Sequence, residues 1–374
     1  MTGPVVKGWC PGARRPMRSG DGLVVRVRPR LARLTAAQAL GLCALALRYG
    51  SGMLDLTNRA NLQIRGVAET AHAPLLEGLR RLGLLDTDPL LESRRNVLVS
   101  PFWAAGDVTE RLARALHGAL PQMPELPAKV GFAVDTGPVP LLAAQSADVR
   151  LERSESGLLL RANGEPQGMA VSEDTAIPAL LDVVRWFAAR QTAERRRMAQ
   201  VVAADTLPAG WRTTRPRSPM PRPEPGPHPL GALLGVPFGQ LDAEAWAGVI
   251  GESGAHALRL TPWRLFLLHG GGVPQSARFI SRPGNPLLDA DACPGAPFCA
   301  QATVETRALA EALAPRTSGS LHVSGCAKGC ARAAAADVTL VGRNGRFDLV
   351  ERGRAWDAPE RTGLSPADLL AGAT

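Results

Sequence analysis

The chain has 374 residues, with 43 lysines and arginines against 34 aspartates and glutamates, a formal charge of +9, and 45% hydrophobic residues. That apolar content excludes a disordered chain, and the length predicts two or three domains. The longest apolar run near the N-terminus, residues 39–47, is too short to cross a bilayer, and residues 1–7 lack an apolar signal core, so a cytoplasmic protein with no membrane partner is expected.

Only Lys7, Lys129 and Lys328 are lysines; the other cations are arginines. An arginine excess fits codon bias in a GC-rich genome. It also fits a site for carboxylates, which guanidinium binds bidentately. Aromatic residues make up 4% of the chain, and no basic run is interleaved with stacking side chains. Nucleic acid is therefore not an expected partner.

In chain order, residues 23–28 (Leu-Val-Val-Arg-Val-Arg) predict a strand whose alternation puts Arg26 and Arg28 on one face. Thr35 is a plausible N-cap for an apolar helix, which is followed by a strand ending at Gly66. Residues 149–161 predict a hairpin around Ser154-Glu155-Ser156-Gly157, and residues 177–199 a helix with a charged end. Residues 207–229 hold eight prolines and predict an extended linker. Asp242 then caps a second helix, followed by a strand into Gly270. Residues 337–350 predict two strands joined at Arg343-Asn344-Gly345. Mixed helices and hairpins make the class α+β.

The two sides of the linker resemble each other. The helix after Thr35 and the strand into Gly66 have counterparts after Asp242 and into Gly270. Pro101-Phe102-Trp103-Ala104 recurs 196 residues later as Pro297-Phe298-Cys299-Ala300. At that offset Cys293 and Cys299 align with Val97 and Trp103, so a duplicated unit is expected in which only the second copy keeps the metal ligands.

Of six cysteines, four lie within 38 residues: Cys293 and Cys299, then Cys326 and Cys330. Two thiolate pairs can hold zinc or an iron–sulfur cluster. The five-residue gap inside the first pair lies outside the zinc-ribbon habit, which favours a 4Fe-4S cluster. Four residues apart, Cys326 and Cys330 would share one face if helical. Gly325 and Gly329 leave room for backbone N–H groups to reach the sulfurs. Cys43, in an apolar helix, is expected in the core, and Cys10 is expected to be a packed thiol.

This cysteine block, with Ser324-Gly325 before Cys326, resembles the nitrite and sulfite reductase superfamily. So does Thr57-Asn58-Arg59-Ala60-Asn61-Leu62-Gln63. The resemblance implies two ferredoxin-like half-domains and two α/β domains: 1–75, 76–206 (without cluster), the linker 207–229, 230–280, and 281–374 with the cluster. It implies anion contacts by Arg59 and by Arg95, which precedes Asn96-Val97. Lys129 matches the first of the superfamily's two lysines, whereas Gly131 stands where the second would be.

Val6-Lys7-Gly8-Trp9-Cys10-Pro11-Gly12, the stretch from Arg15 to Gly22, and Ala327-Lys328 between the last two cysteines are similar more narrowly to the precorrin-3B synthase family. That likeness implies a monooxygenase of aerobic cobalamin biosynthesis: O2- and NADH-dependent hydroxylation of precorrin-3A at C20 with γ-lactone formation. It implies a 4Fe-4S cluster on Cys293, Cys299, Cys326 and Cys330, and a mononuclear non-haem iron. No triad spacing among the six histidines assigns that iron's ligands. The direct electron donor stays open, a donor protein included. A carboxylate-rimmed tetrapyrrole suits Arg26, Arg28, Arg59, Arg65, Arg94, Arg95 and Lys129 as substrate-binding residues. A sirohaem nitrite or sulfite reductase, and a non-enzymatic iron–sulfur carrier or sensor, are the competing expectations.

Overall fold

The computed structural model describes residues 11–372. In chain order the first half runs β1 (Met17–Ser19), β2 (Gly22–Val27), β3 (Arg33–Thr35), α1 (Ala36–Tyr49), β4 (Met53–Leu56), β5 (Leu62–Val67), α2 (Glu69–Arg81) and α3 (Pro89–Arg94). It continues with β6 (Val97–Val99), α4 (Val108–Ala119), β7 (Phe132–Val134), β8 (Val149–Ser154), β9 (Gly157–Ala162), β10 (Met169–Val171), α5 (Glu173–Ala188) and α6 (Met198–Val202). The second half repeats the pattern: β11 (Gly226–His228), β12 (Gly231–Gly235), β13 (Gln240–Asp242), α7 (Ala243–Ser253), β14 (Ala257–Leu260) and β15 (Leu265–His269). Then come β16 (Ala290–Ala292), α8 (Arg307–Leu313), β17 (Leu321–Ser324), β18 (Ala336–Arg343), β19 (Arg346–Gly353), β20 (Arg361–Leu364) and α9 (Pro366–Leu370).

These strands form four five-stranded sheets, and the α+β duplication expected from sequence is their organising feature. Two antiparallel sheets have the orders β1-β2-β5-β4-β13 and β11-β12-β15-β14-β3. Each is closed by a strand from the other half: β13 pairs with β4, and β3 with β14. The other two have the orders β10-β9-β8-β7-β6 and β16-β17-β18-β19-β20. In both, the first three strands in the chain are parallel and the rest antiparallel.

Local chemistry sets the element ends. Thr35 and Gln38 form a reciprocal capping box on α1, and Asp242 accepts from the Ala245 N–H to open α7. Both caps are the last residues of exchanged strands, so the strand hands directly to the helix. Helices α1 and α7 pack together. Leu42, Leu54, Ile64, Trp246, Leu258 and Phe266 lie in the one core they cover, all fully buried. Each such side chain contributes about 2 kcal/mol of apolar burial. Cys43 lies in this core, and burial pushes its thiol up to about 12, as its expected structural role requires.

Three local expectations are corrected. The helix predicted over 177–199 starts at Glu173, capped by Ser172, and stops at Ala188; Arg197 instead turns inward to pair with Asp148. The proline-rich connector is not wholly extended: Ala209–Trp211 form a 3-10 turn and Gly226–His228 an edge strand, where Pro227 is tolerated. Residues 326–330 form bends and turns, not a helix, with Gly329 at φ +60°. Among the described residues no helix is long and apolar enough to cross a membrane.

Candidate active site

The internal duplication gives each half a sheet face turned away from the shared core, and the two faces differ. In the first half, Arg26 pairs with Gln63, Gln63 with Asp55, and Asp55 with Gln240 across four strands. The equivalent row in the second half is Leu233, Leu267, Arg259 and Arg33. Assigned from its surroundings, the Gln63 amide oxygen accepts from Arg26 Nη2 at 2.7 Å and Nε at 3.2 Å. On the other face, Leu233, Leu265 and Leu267 are buried with Ile280 and Leu288, and Phe102 packs against them. One face is therefore a polar surface and its counterpart a filled apolar core.

Each face receives a loop from the opposite α/β unit. The Phe298 carbonyl, next to Cys299, accepts from Gly20 N at 3.0 Å, Ser19 Oγ at 2.7 Å and Arg65 Nη2 at 3.4 Å. A Cβ at Gly20 would meet the Pro297 carbonyl at 2.4 Å, so only glycine allows this approach. Arg65 also reaches Asp21 at 3.1 and 3.0 Å and Asp55 at 3.6 Å, and Asp55 pairs with Arg307 at 3.0 Å. On the filled face, the buried Arg259 donates to the carbonyls of Pro101 (2.7 Å) and Trp103 and lies 3.9 Å over the Trp103 ring. Phe102 stacks on His228 at 4.3 Å. The repeat of Pro-Phe seen in sequence is thus a repeated docking device. Ser19, Gly20 and Asp21, noted in sequence only as part of a motif, form the seat of the cysteine loop.

The four cysteines emerge from the ends of β16 and β17. The Cys293 N–H donates to the Val323 carbonyl at 3.4 Å, as the Ser100 N–H does to Val134 at 2.9 Å. Ser100, not Val97, is therefore the first-half counterpart of Cys293. The second-half loop between that point and the Pro-Phe dock is three residues longer (Cys293 to Phe298 against Ser100 to Phe102), which explains the sequence misalignment. Gly325 N donates to Cys293 Sγ at 3.2 Å, and a Cβ at Gly325 would lie 2.6 Å from Ala302 Cβ. Cys293 is buried, Cys299 and Cys326 are half-buried, and Cys330 is exposed.

The four thiols share one electrostatic neighbourhood. Burial pushes Cys326 up, a Lys328 N–H bond opposes it, and the charges of Cys293 and Cys299 add to the rise. Burial likewise raises Cys330, with Lys328 opposing and the other three cysteines reinforcing. The rise at Cys326 and Cys330 is one that a bound cation would relieve. Thiols are the donor type that iron–sulfur clusters take, and one of these sulfurs already accepts a glycine N–H. Among the described residues, the four cysteines included, no group of three or more His, Cys, Asp or Glu side chains is arranged to hold a metal ion. A mononuclear iron thus finds no fitting ligand set among them.

The predicted cations fall into two classes. Arg28, Arg65 and Arg95 are inward-facing and ion-paired. Arg28 pairs with Glu92, Arg65 with Asp21 and Asp55, and Arg95 with Asp86 at 2.9 Å. Arg94 donates to the carbonyls of Leu120 and Met123 at 3.2 and 3.0 Å. Arg26, Arg59 and Lys129 remain partly exposed, and Arg59 Nη2 donates to the Lys129 carbonyl at 3.3 Å. Lys129 lines a cavity of about 370 Å³ with Arg196 and Arg197, which sequence patterns did not single out. Gly131 packs on Asn96: a Cβ there would lie 2.7 Å from Nδ2, leaving no room for a lysine without rearrangement. Cys10, with the rest of residues 6–10, lies outside the described residues; Pro11 accepts from Arg28 Nη2 at 3.2 Å.

Comparison with known proteins agrees with this architecture. Residues 15–82 match the nitrite/sulfite reductase ferredoxin-like half domain. The solved structure of the Mycobacterium tuberculosis NirA protein superposes with a TM-score of 0.63 over 93% of this chain and 79% of that one, at 19% identity, which shows the shared fold. A chloroplastic ferredoxin–nitrite reductase of Zea mays is 26% identical, with 82% of this chain and 67% of that protein covered. A precorrin-3B synthase of Sinorhizobium sp is 32% identical over 94% of this chain and 84% of its own length. With that identity sustained over nearly the whole length, the chain belongs to the precorrin-3B synthase family of oxidoreductases.

Proposed function

We propose that the protein converts precorrin-3A to precorrin-3B in aerobic cobalamin biosynthesis. One atom of O2 enters at C20, the ring A acetate closes a γ-lactone, and the second oxygen atom leaves as water with two electrons from NADH. The observation that carries this reading is the asymmetry between the faces. The row of Arg26, Gln63 and Asp55 stays polar beside the cysteine loop, while its counterpart is filled by Leu233 and Leu267. A carboxylate-rimmed macrocycle suits the polar face and has no room on the other.

Cys293, Cys299, Cys326 and Cys330 would hold a 4Fe-4S cluster, which when bound supplies one-electron transfer. Arg26, Arg59 and Lys129 bind peripheral carboxylates by charge-assisted hydrogen bonds and fix the ring's orientation. Arg28, Arg65 and Arg95 act one step back. Their ion pairs hold β2, β5 and the segment after α3 in place, so the binding groups keep their spacing. No step is assigned to a mononuclear iron.

The test is anaerobic incubation of the iron–sulfur protein with precorrin-3A, then isotopically labelled O2 and reductant. A product one labelled oxygen heavier is expected; an unlabelled product overturns the proposal. The nitrite reductase relative supports a second reading, a sirohaem reductase. Gly131 in place of a lysine argues against it, and a sirohaem Soret band in the isolated protein would establish it instead.

A further inference from the structure

At the Gln240 end of the polar row, a cavity of about 420 Å³ opens where the exchanged strand β13 meets β4. Its two sides differ chemically. Met53, Phe238 and Leu287 give an apolar platform, while Arg278, Arg282 and Arg307 bring three guanidinium groups to it. Arg278 and Arg282 are exposed at its rim, and neither enters an ion pair among the described residues. Arg307 gives Nη2 to Asp55 at 3.0 Å, while its Nε is buried without a hydrogen-bond partner. Of the two carboxylates on the wall, Asp242 is engaged in capping α7, and Glu311 is left uncommitted.

We propose that this cavity binds the phosphates of a nucleotide, with its base against the Met53–Phe238–Leu287 platform. Guanidinium groups match phosphate oxygens bidentately, and apolar side chains beside them suit a heterocycle. The choice of a dinucleotide reductant rests on the oxidoreductase reading above; the anion site does not. Position favours that choice. Arg307 pairs with Asp55, Asp55 with Arg65, and Arg65 holds the Phe298 carbonyl beside Cys299. A ligand on Arg307 is therefore in contact with the network that seats the cysteine loop.

The test is isothermal titration of the anaerobic, cluster-containing protein with NADH, ADP and inorganic pyrophosphate, with uroporphyrin I as a control for the tetrapyrrole face. NADH and ADP are expected to bind. The double variant R278E/R282E should weaken both about tenfold or more, and E311Q should tighten them. Uroporphyrin binding should be unchanged in every variant. The proposal is overturned if neither nucleotide binds, if R278E/R282E leaves their affinity intact, or if only pyrophosphate binds. Loss of uroporphyrin binding by the unmodified protein would count against the tetrapyrrole reading and leave the cavity's test standing.

Discussion

The Arg65 guanidinium lies 3.4 Å from the carbonyl oxygen of Phe298, 233 residues along the chain and adjacent to Cys299. It connects the strand that carries Gln63 to the loop that carries two of the four cysteines. Arg65 is about nine-tenths buried and faces two carboxylates, Asp21 and Asp55.

Replacing Arg65 with methionine strands Asp21 in a low-dielectric site and leaves Asp55 with Arg307 alone. About 3 kcal/mol of stability should be lost, read as a lower urea midpoint. The cysteine loop loses a tether at the same time. Air bleaching of the cluster's visible absorption should accelerate in R65M and stay slow in R65K, which keeps the charge. Equal bleaching rates in all three proteins would refute a seating role for Arg65.

Iron and sulfide should vanish from C293S or C330S purified without oxygen, with loss of the broad brown absorption. C43A is the control. It removes a core thiol and should cost about 1 kcal/mol of stability while leaving iron content intact.

Arg59 and Arg95 should separate binding from folding. R59M and K129A are expected to weaken uroporphyrin or substrate binding by about 1–3 kcal/mol each, without moving the urea midpoint. R95M should lower the midpoint, because it leaves the buried Asp86 with only the exposed Arg30 as its ion-pair partner, and should scarcely change affinity. If R95M weakens binding as much as R59M does, the inward pairing of Arg95 is not its function.

His322 is fully buried on β17, and burial, reinforced by Arg332 and opposed by Asp291, holds its pKa down at about 4. Its folded pKa lies below the unfolded value of 6.5, so the unfolded chain binds the extra proton. Stability is retained above pH 6.5 and lost as pH falls toward 4. Between pH 7.5 and 5 that loss is about 2 kcal/mol. Urea titrations at the two pH values should show it in the unmodified protein and show a smaller drop in H322L.

Much of this architecture was legible because its signals are local. Thr35 and Asp242 announce helix starts, and Asn344-Gly345 announces a hairpin, before any fold is known. The strand exchange was not legible. Arg33–Thr35 and Gln240–Asp242 are three residues each, too short for a periodic signal, and their partners are fixed only in three dimensions. The fate of Arg28 and Arg95 was hidden for the same reason: Glu92 and Asp86 become their partners only when α3 and the segment before it fold against β2. Sequence gave Cys326 to Cys330 a helical spacing, but Gly329 in the left-handed region makes the stretch a turn.

Because β3 and β13 each complete the other half's sheet, neither half can be cut away as a free-standing module. Separated at the proline-rich connector, each fragment would expose a four-stranded sheet with one raw edge. The two should be insoluble apart and should reassemble when produced together. Such mutual dependence also accounts for a half without the paired-cysteine motif persisting after duplication: it remains the scaffold without which its twin could not close.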